Sequence, residues 1–112
     1  MKKISLEELM ELYKYTLEKC GTYLLEVEDK IIEYNIFEEF DIGIHTYFHI
    51  DNLLKLNEAG LISEEVMDKS TTLRNMVIDI QQSDKWDVKV VRNSPEWIKI
   101  LGLADEIRSY LC

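Results

Sequence analysis

The sequence predicts an all-α fold: one domain over residues 1–112, built as a bundle of five or six short to medium helices. Three observations predict it. Apolar residues recur at intervals of three and four along most of the chain, the spacing of one buried helical face. Helix-start chemistry stands at three separate places, Ser5-Leu6-Glu7-Glu8, Ser63-Glu64-Glu65 and Ser94-Pro95-Glu96. The connections between the periodic stretches are short, which favours neighbouring helices that pack on one another. A chain of 112 residues, 46% hydrophobic and 31% charged, is long enough for a single core and has the balance of a folded globular domain.

Ser5 to Glu8 fits a capping box, in which the Ser5 hydroxyl accepts from the Glu8 amide and the Glu8 carboxylate reaches back. Leu6, Leu9, Met10, Tyr13, Leu17 and Cys20 then form one stripe. Gly21 is expected to end this helix in the left-handed conformation. Thr22 is expected to cap a second helix, with Leu24, Val27, Ile31 and Tyr34 inward and Glu26, Asp29, Lys30 and Glu33 on the wetter side, ending at Asn35 or just after. Gly43 argues for a break, and Ile42, Ile44 and the aromatics behind them also fit the start of a strand. A helix from about Ile44 to Asn57 is preferred, because Tyr47, Ile50, Leu53, Leu54 and Leu56 keep helical intervals.

Gly60 suits the position just past a helix, and Ser63 starts the next one, with Glu64 and Glu65 where the helix dipole favours anions. Val66, Leu73, Met76, Val77 and Ile80 are its inner face. Between Gln81 and Ser94 a short helix capped by Asp84 and running through Val91 is preferred over a strand. Trp86, Val88 and Val90 alternate as a strand would, but no partner strand is evident. Ser94-Pro95-Glu96 opens the last helix, whose inner face carries Trp97, Leu101, Ala104, Ile107 and Leu111. Gly102 weakens that helix by about 1 kcal/mol relative to alanine unless close packing needs it.

Charge is distributed unevenly. From Cys20 to Asp51 eight acids face one lysine, a net −7, against 0 for residues 1–19 and −2 for residues 52–112. The same stretch holds six of the eleven aromatics. Acids alone would suggest a solvated face and aromatics alone a core; together they suggest a surface that meets a basic partner. The candidate contact residues are the acids Glu26, Asp29, Glu33, Glu38, Glu39 and Asp41, with Tyr23, Tyr34 and Tyr47 as anchors. The plainer alternative makes the aromatics core and the acids a solubilising surface.

The acidic balance argues against direct binding to nucleic acid, which requires basic groups against phosphates. No apolar run approaches a membrane span, and Met1–Met10 does not read as a signal peptide, because Glu7 and Glu8 stand where an apolar region would. A cytoplasmic protein is expected, monomeric when free. Cys20 is expected to be buried and Cys112 exposed, with neither at metal-ligand spacing. The four glycines are scattered and form no phosphate-binding loop. Asp41, His45 and His49 are four apart, and two such imidazoles on one helix can bind a transition metal. Thr46, however, occupies the position of the general base in the zinc-protease motif, and Gly43 interrupts the row. No catalytic residue, metal or cofactor is therefore assigned. A metal-dependent enzyme built on His45 and His49 is kept only as a lesser alternative.

One resemblance bears on function. Leu54-x-Leu56-x-x-x-Gly60-Leu61-Ile62-Ser63, Leu73-Arg74, Trp86 and Ser94-Pro95-Glu96-Trp97, within residues 50–110, resemble small helical immunity proteins of bacterial polymorphic toxin systems, including contact-dependent growth inhibition. The resemblance implies a non-enzymatic intracellular protein that binds and neutralises the toxic C-terminal domain of a cognate toxin, often a nuclease. It carries over no site residue, because such surfaces diverge with their toxins, and it does not reach the acidic stretch. A helical adaptor or regulatory subunit, homodimeric through the same face, is the other reading.

Overall fold

The structure is a computed structural model that describes residues 4–111. Every regular element among them is helical, as the periodicity predicts. The exposed thiol expected at Cys112 lies outside the described residues.

Helix α1 (Leu6–Glu18) starts at the expected capping box. The Glu8 amide donates to Ser5 Oγ at 3.1 Å and the Ser5 amide to Glu8 Oε1 at 3.3 Å. Leu9, Tyr13, Leu17 and Cys20 are buried, whereas Leu6 remains exposed. Gly21 does not adopt the left-handed conformation: its φ of 179° is extended backbone. Its lack of a side chain serves close approach instead, since a Cβ there would lie 2.5 Å from Arg108 Nη2 and 2.7 Å from Asp105 Oδ1. Arg108 donates to the carbonyls of Leu17 and Cys20 at the end of α1, and Asp105 accepts from the amide and hydroxyl of Thr22.

The expected second helix is corrected more deeply. Thr22–Glu26 is a 3₁₀ turn, and Val27 and Glu28 are extended. A new helix then runs without interruption through α2 (Asp29–Ile32), a π-helical segment (Glu33–Phe40) and α3 (Asp41–Thr46), so neither Asn35 nor Gly43 ends it. The extended residues reset the helical phase, which is why Ile31 and Tyr34 face outward while Ile32, Ile36, Phe40 and Ile44 are fully buried. A row repeating every four residues drifts by about 40° per step on an α-helix of 3.6 residues per turn. The wider π winding offsets that drift and keeps the row on the core. Gly43 sits inside this helix because a Cβ would lie 2.1 Å from Thr16 Oγ1 on α1.

The expected helix from Ile44 to Asn57 is broken at Tyr47–His49. His49 is extended and caps α4 (Ile50–Glu58), its Nδ1 accepting from the Asp51 amide at 3.2 Å. Asn52 Nδ2 donates to the Thr46 carbonyl at 2.7 Å. These side chains satisfy backbone groups that the break frees. Phe48, at the break, is buried and stacks on Tyr13 with ring centroids 4.8 Å apart. Gly60 has the positive φ, 76°, that its place after α4 predicts. Ser63 caps α5 (Glu64–Gln81), accepting from the Val66 amide at 3.1 Å. A buried Tyr13–Ser70 hydroxyl pair at 2.6 Å ties α1 to α5, and burial pushes the Tyr13 pKa up to about 12.

Between α5 and α6 the chain forms turns, neither the short helix from Asp84 nor a strand. Ser83 Oγ accepts from the Lys85 amide at 3.1 Å and Asp87 Oδ1 from the Lys89 amide at 2.8 Å, local bonds that compete with a helical ladder. Helix α6 (Pro95–Tyr110) begins as expected, Ser94 Oγ accepting from the Trp97 amide. It packs on α5 and α1 and buries Trp97, Ile100, Leu101, Ala104 and Ile107. Trp97 Nε1 donates to the Lys85 carbonyl at 2.8 Å. Its ring adjoins Trp86 at 5.6 Å and Phe37 at 5.9 Å, joining the connector, the π segment and α6.

Candidate functional site

The Asp29–Thr46 helix divides the acidic stretch into two faces. Its inner row is the buried one. Its outer row carries Ile31, Tyr34, Glu38 and Ile42, spaced three and four apart, with Glu33 beside them. Ile31, Tyr34 and Ile42 are 43%, 49% and 58% exposed, so large apolar side chains alternate with acids on a solvated ridge.

The acids are not equivalent. Glu26, Glu33 and Glu38 are exposed and make no ion pair or side-chain hydrogen bond among the described residues. Asp29 pairs with Arg92, whose other nitrogen reaches the Val27 carbonyl, so this charge is spent on docking the connector. Asp41 accepts from Gln81 Nε2 at 2.6 Å and lies 3.5 Å from His45 Nε2. Glu39 accepts from two tyrosines at one oxygen: Tyr15 at 2.8 Å and Tyr34 at 3.0 Å. The Tyr15 bond first, and the Tyr34 bond second, hold the Glu39 carboxyl below its ordinary range, and the same bonds raise both phenols, Tyr15 to about 12.

The three expected tyrosine anchors separate likewise. Tyr34 stands on the outer row. Tyr23 is exposed but tethered, donating to the Glu18 carbonyl at 2.7 Å and accepting from Asn35 Nδ2 at 3.1 Å. Tyr47 is half-buried against the core. Tyr15 was not among the sequence candidates, since it lies on α1 outside the acidic stretch. The signal for it was an aromatic off the Leu9–Tyr13–Leu17 stripe and four residues before Lys19, whose Nζ lies 4.9 Å from the Tyr15 ring centre.

His45 and His49 take different partners. His45 Nε2 meets Gln81 Oε1 at 2.7 Å, while His49 caps α4. Among the described residues no three histidine, cysteine or acidic side chains gather as a metal site. Burial raises the Cys20 thiol, and the described residues place no histidine against it. A hollow of about 240 Å³ between α5 and α6 has an apolar floor of Met76, Ile80 and Ile100. At its rim Ser94 and Lys85 hold the Glu96 carboxyl down to about 2. No helix among the described residues is long and apolar enough to cross a membrane. Comparisons with family models, curated proteins and solved structures return no match.

Proposed function

We propose that this chain is an immunity protein that binds a cognate, basic, nuclease-type toxin domain and neutralises it by keeping substrate away, with no turnover of its own. In this reading it works in the cytoplasm, is a monomer when free, and needs no metal or cofactor. The observation that carries the reading is the outer row of the Asp29–Thr46 helix, where exposed Ile31, Tyr34 and Ile42 stand among the uncompensated Glu33 and Glu38. Apolar side chains of this kind are desolvated anchors and hold a complex together, whereas rim carboxylates steer encounter with a positive surface. A nuclease must be basic where it grips phosphates, so an acidic ridge can cover that ground or the ground beside it. The resemblance of residues 50–110 to immunity proteins supports the same reading.

The test is co-expression with the variable C-terminal domain of a large secreted protein encoded beside this gene, followed by binding kinetics. Glu33→Lys with Glu38→Lys should slow association and flatten its salt dependence. Glu58→Lys with Asp68→Lys, an equal change of charge on α4 and α5, should do much less. Tyr34→Ala should act chiefly on dissociation. If only the α4 and α5 pair matters, the acidic ridge is merely a solvated face. If the chain self-associates and ignores the neighbour, it is an adaptor.

A further inference from the structure

We propose that Tyr15, Tyr34 and Glu39 form a preorganised seat for an arginine side chain of the partner, which enters by displacing Lys19. This deepens the proposed docking of a basic protein and rests on that reading. Four observations carry it. Lys19 Nζ lies 4.9 Å from the Tyr15 ring centre and 5.6 Å from that of Tyr34, so the two rings already hold a cation within the ~6 Å over which an aromatic face attracts one. Each ring is pinned at its far end, because both hydroxyls donate to Glu39 Oε1, at 2.8 and 3.0 Å. Oε2 of the same carboxylate accepts no hydrogen bond among the described residues, which leaves an acceptor for an incoming guanidinium.

The fourth is that Lys19 forms no ion pair among the described residues. Lys69, over the Tyr110 ring at 5.8 Å, is anchored by Glu106 at 2.7 Å, whereas Lys19 sits over two rings and feels the Glu39 charge without forming a salt bridge among the described residues, which leaves it exchangeable. The local folds supply the geometry. Lys19, which caps the end of α1, stands one turn after Tyr15. Tyr34 and Glu39 are five apart, about one turn of the π-helix that contains them, so the wide winding brings phenol and carboxylate onto one side. A planar guanidinium can stack on the rings and reach the carboxylate at once, which an ammonium does less well.

The probe is a hexa-arginine peptide titrated into the full chain, followed by site-resolved tyrosine ring, lysine side-chain and carboxylate side-chain resonances. Shifts at Tyr15, Tyr34 and Lys19 should saturate together and before those at Glu33 and Glu38. Lys19→Ala, which vacates the seat, should tighten the peptide about two- to fivefold. Lys30→Ala, which removes an equal charge without opening the seat, should tighten it less. Glu39→Gln and, separately, Tyr34→Leu should each weaken it, with helicity checked by circular dichroism. Equal effects of Lys19→Ala and Lys30→Ala, with shifts spread evenly over the acids, would overturn the seat. A seat that takes arginine in a protein that ignores its neighbour's toxin domain would sink only the immunity reading. Tight toxin binding unmoved by Lys19→Ala and Glu39→Gln would sink only the seat.

Discussion

Helix α6 and the helix running from Asp29 to Thr46 differ by only two residues in length, 16 against 18, yet they are specified in different ways. Helix α6 opens with a side-chain cap and a proline in its first turn; the longer helix opens without a side-chain cap. Each contains one glycine. A Cβ at Gly102 would meet nothing within 4 Å, whereas one at Gly43 would meet Thr16 at 2.1 Å. The first helix is therefore written in its own local sequence, and the second is shaped by what it packs against. A helix whose inner face and winding are set by its neighbours leaves its outer row unconstrained by packing, and Glu33 and Glu38 on that side make no ion pair among the described residues.

The largest test of this contrast is Trp97→Ala. Its indole is fully buried and its Nε1 donates to the Lys85 carbonyl, so truncation should cost ~3–5 kcal/mol in urea titration. A loss below ~1 kcal/mol would remove Trp97 from the core and make α6 the less ordered of the two. Gly43→Ala comes next. The new methyl has no room beside Thr16, so the cost should be ~1–3 kcal/mol, partly recovered in Gly43→Ala with Thr16→Ala. Gly102→Ala should have the opposite sign: open space and a helical backbone predict a gain of ~0.5–1 kcal/mol. If the two glycines respond alike, the helices are not specified differently after all.

The same contrast explains what could be read from the chain. The starts at Ser5, Ser63 and Ser94 and the stop at Gly60 were legible because a cap acts within four residues. The phase of the Asp29–Thr46 helix was not, because it depends on two extended residues, Val27 and Glu28, in a sequence with helical periodicity on either side. The row Ile32, Ile36, Phe40, Ile44, Phe48 was present in plain view. Its strict interval of four drifts around an α-helix and fits one face of a strand equally well; the π segment keeps Ile32, Ile36, Phe40 and Ile44 on one helical face, and Phe48 follows at the break. Of the candidate site, the acidic stretch was legible as composition, but its inner neutralisation was not. Arg92 reaches Asp29 from 63 residues away and Gln81 reaches Asp41 from 40, distances over which spacing rules say nothing.

The smallest effect separates the core from the ridge by titration. Tyr13 and Tyr15 are both raised to about 12 from the usual 10.0, but for different reasons: burial for Tyr13, the bond to Glu39 for Tyr15. A phenol whose folded pKa is raised contributes stability that is full below pH 10 and lost as pH rises toward 12. Glu39 has the opposite sign: its folded pKa is depressed, so its contribution is present above its usual 4.5 and lost as pH falls through the depressed value. Glu39→Gln should therefore return Tyr15 toward 10 and flatten the alkaline loss of stability, while Tyr13, held by the core, still ionises near 12. Site-resolved ring-carbon shifts across an alkaline titration distinguish the two. If Tyr15 remains high in Glu39→Gln, its phenol is raised by burial and not by the carboxylate, and the ridge is packed like the core it was contrasted with.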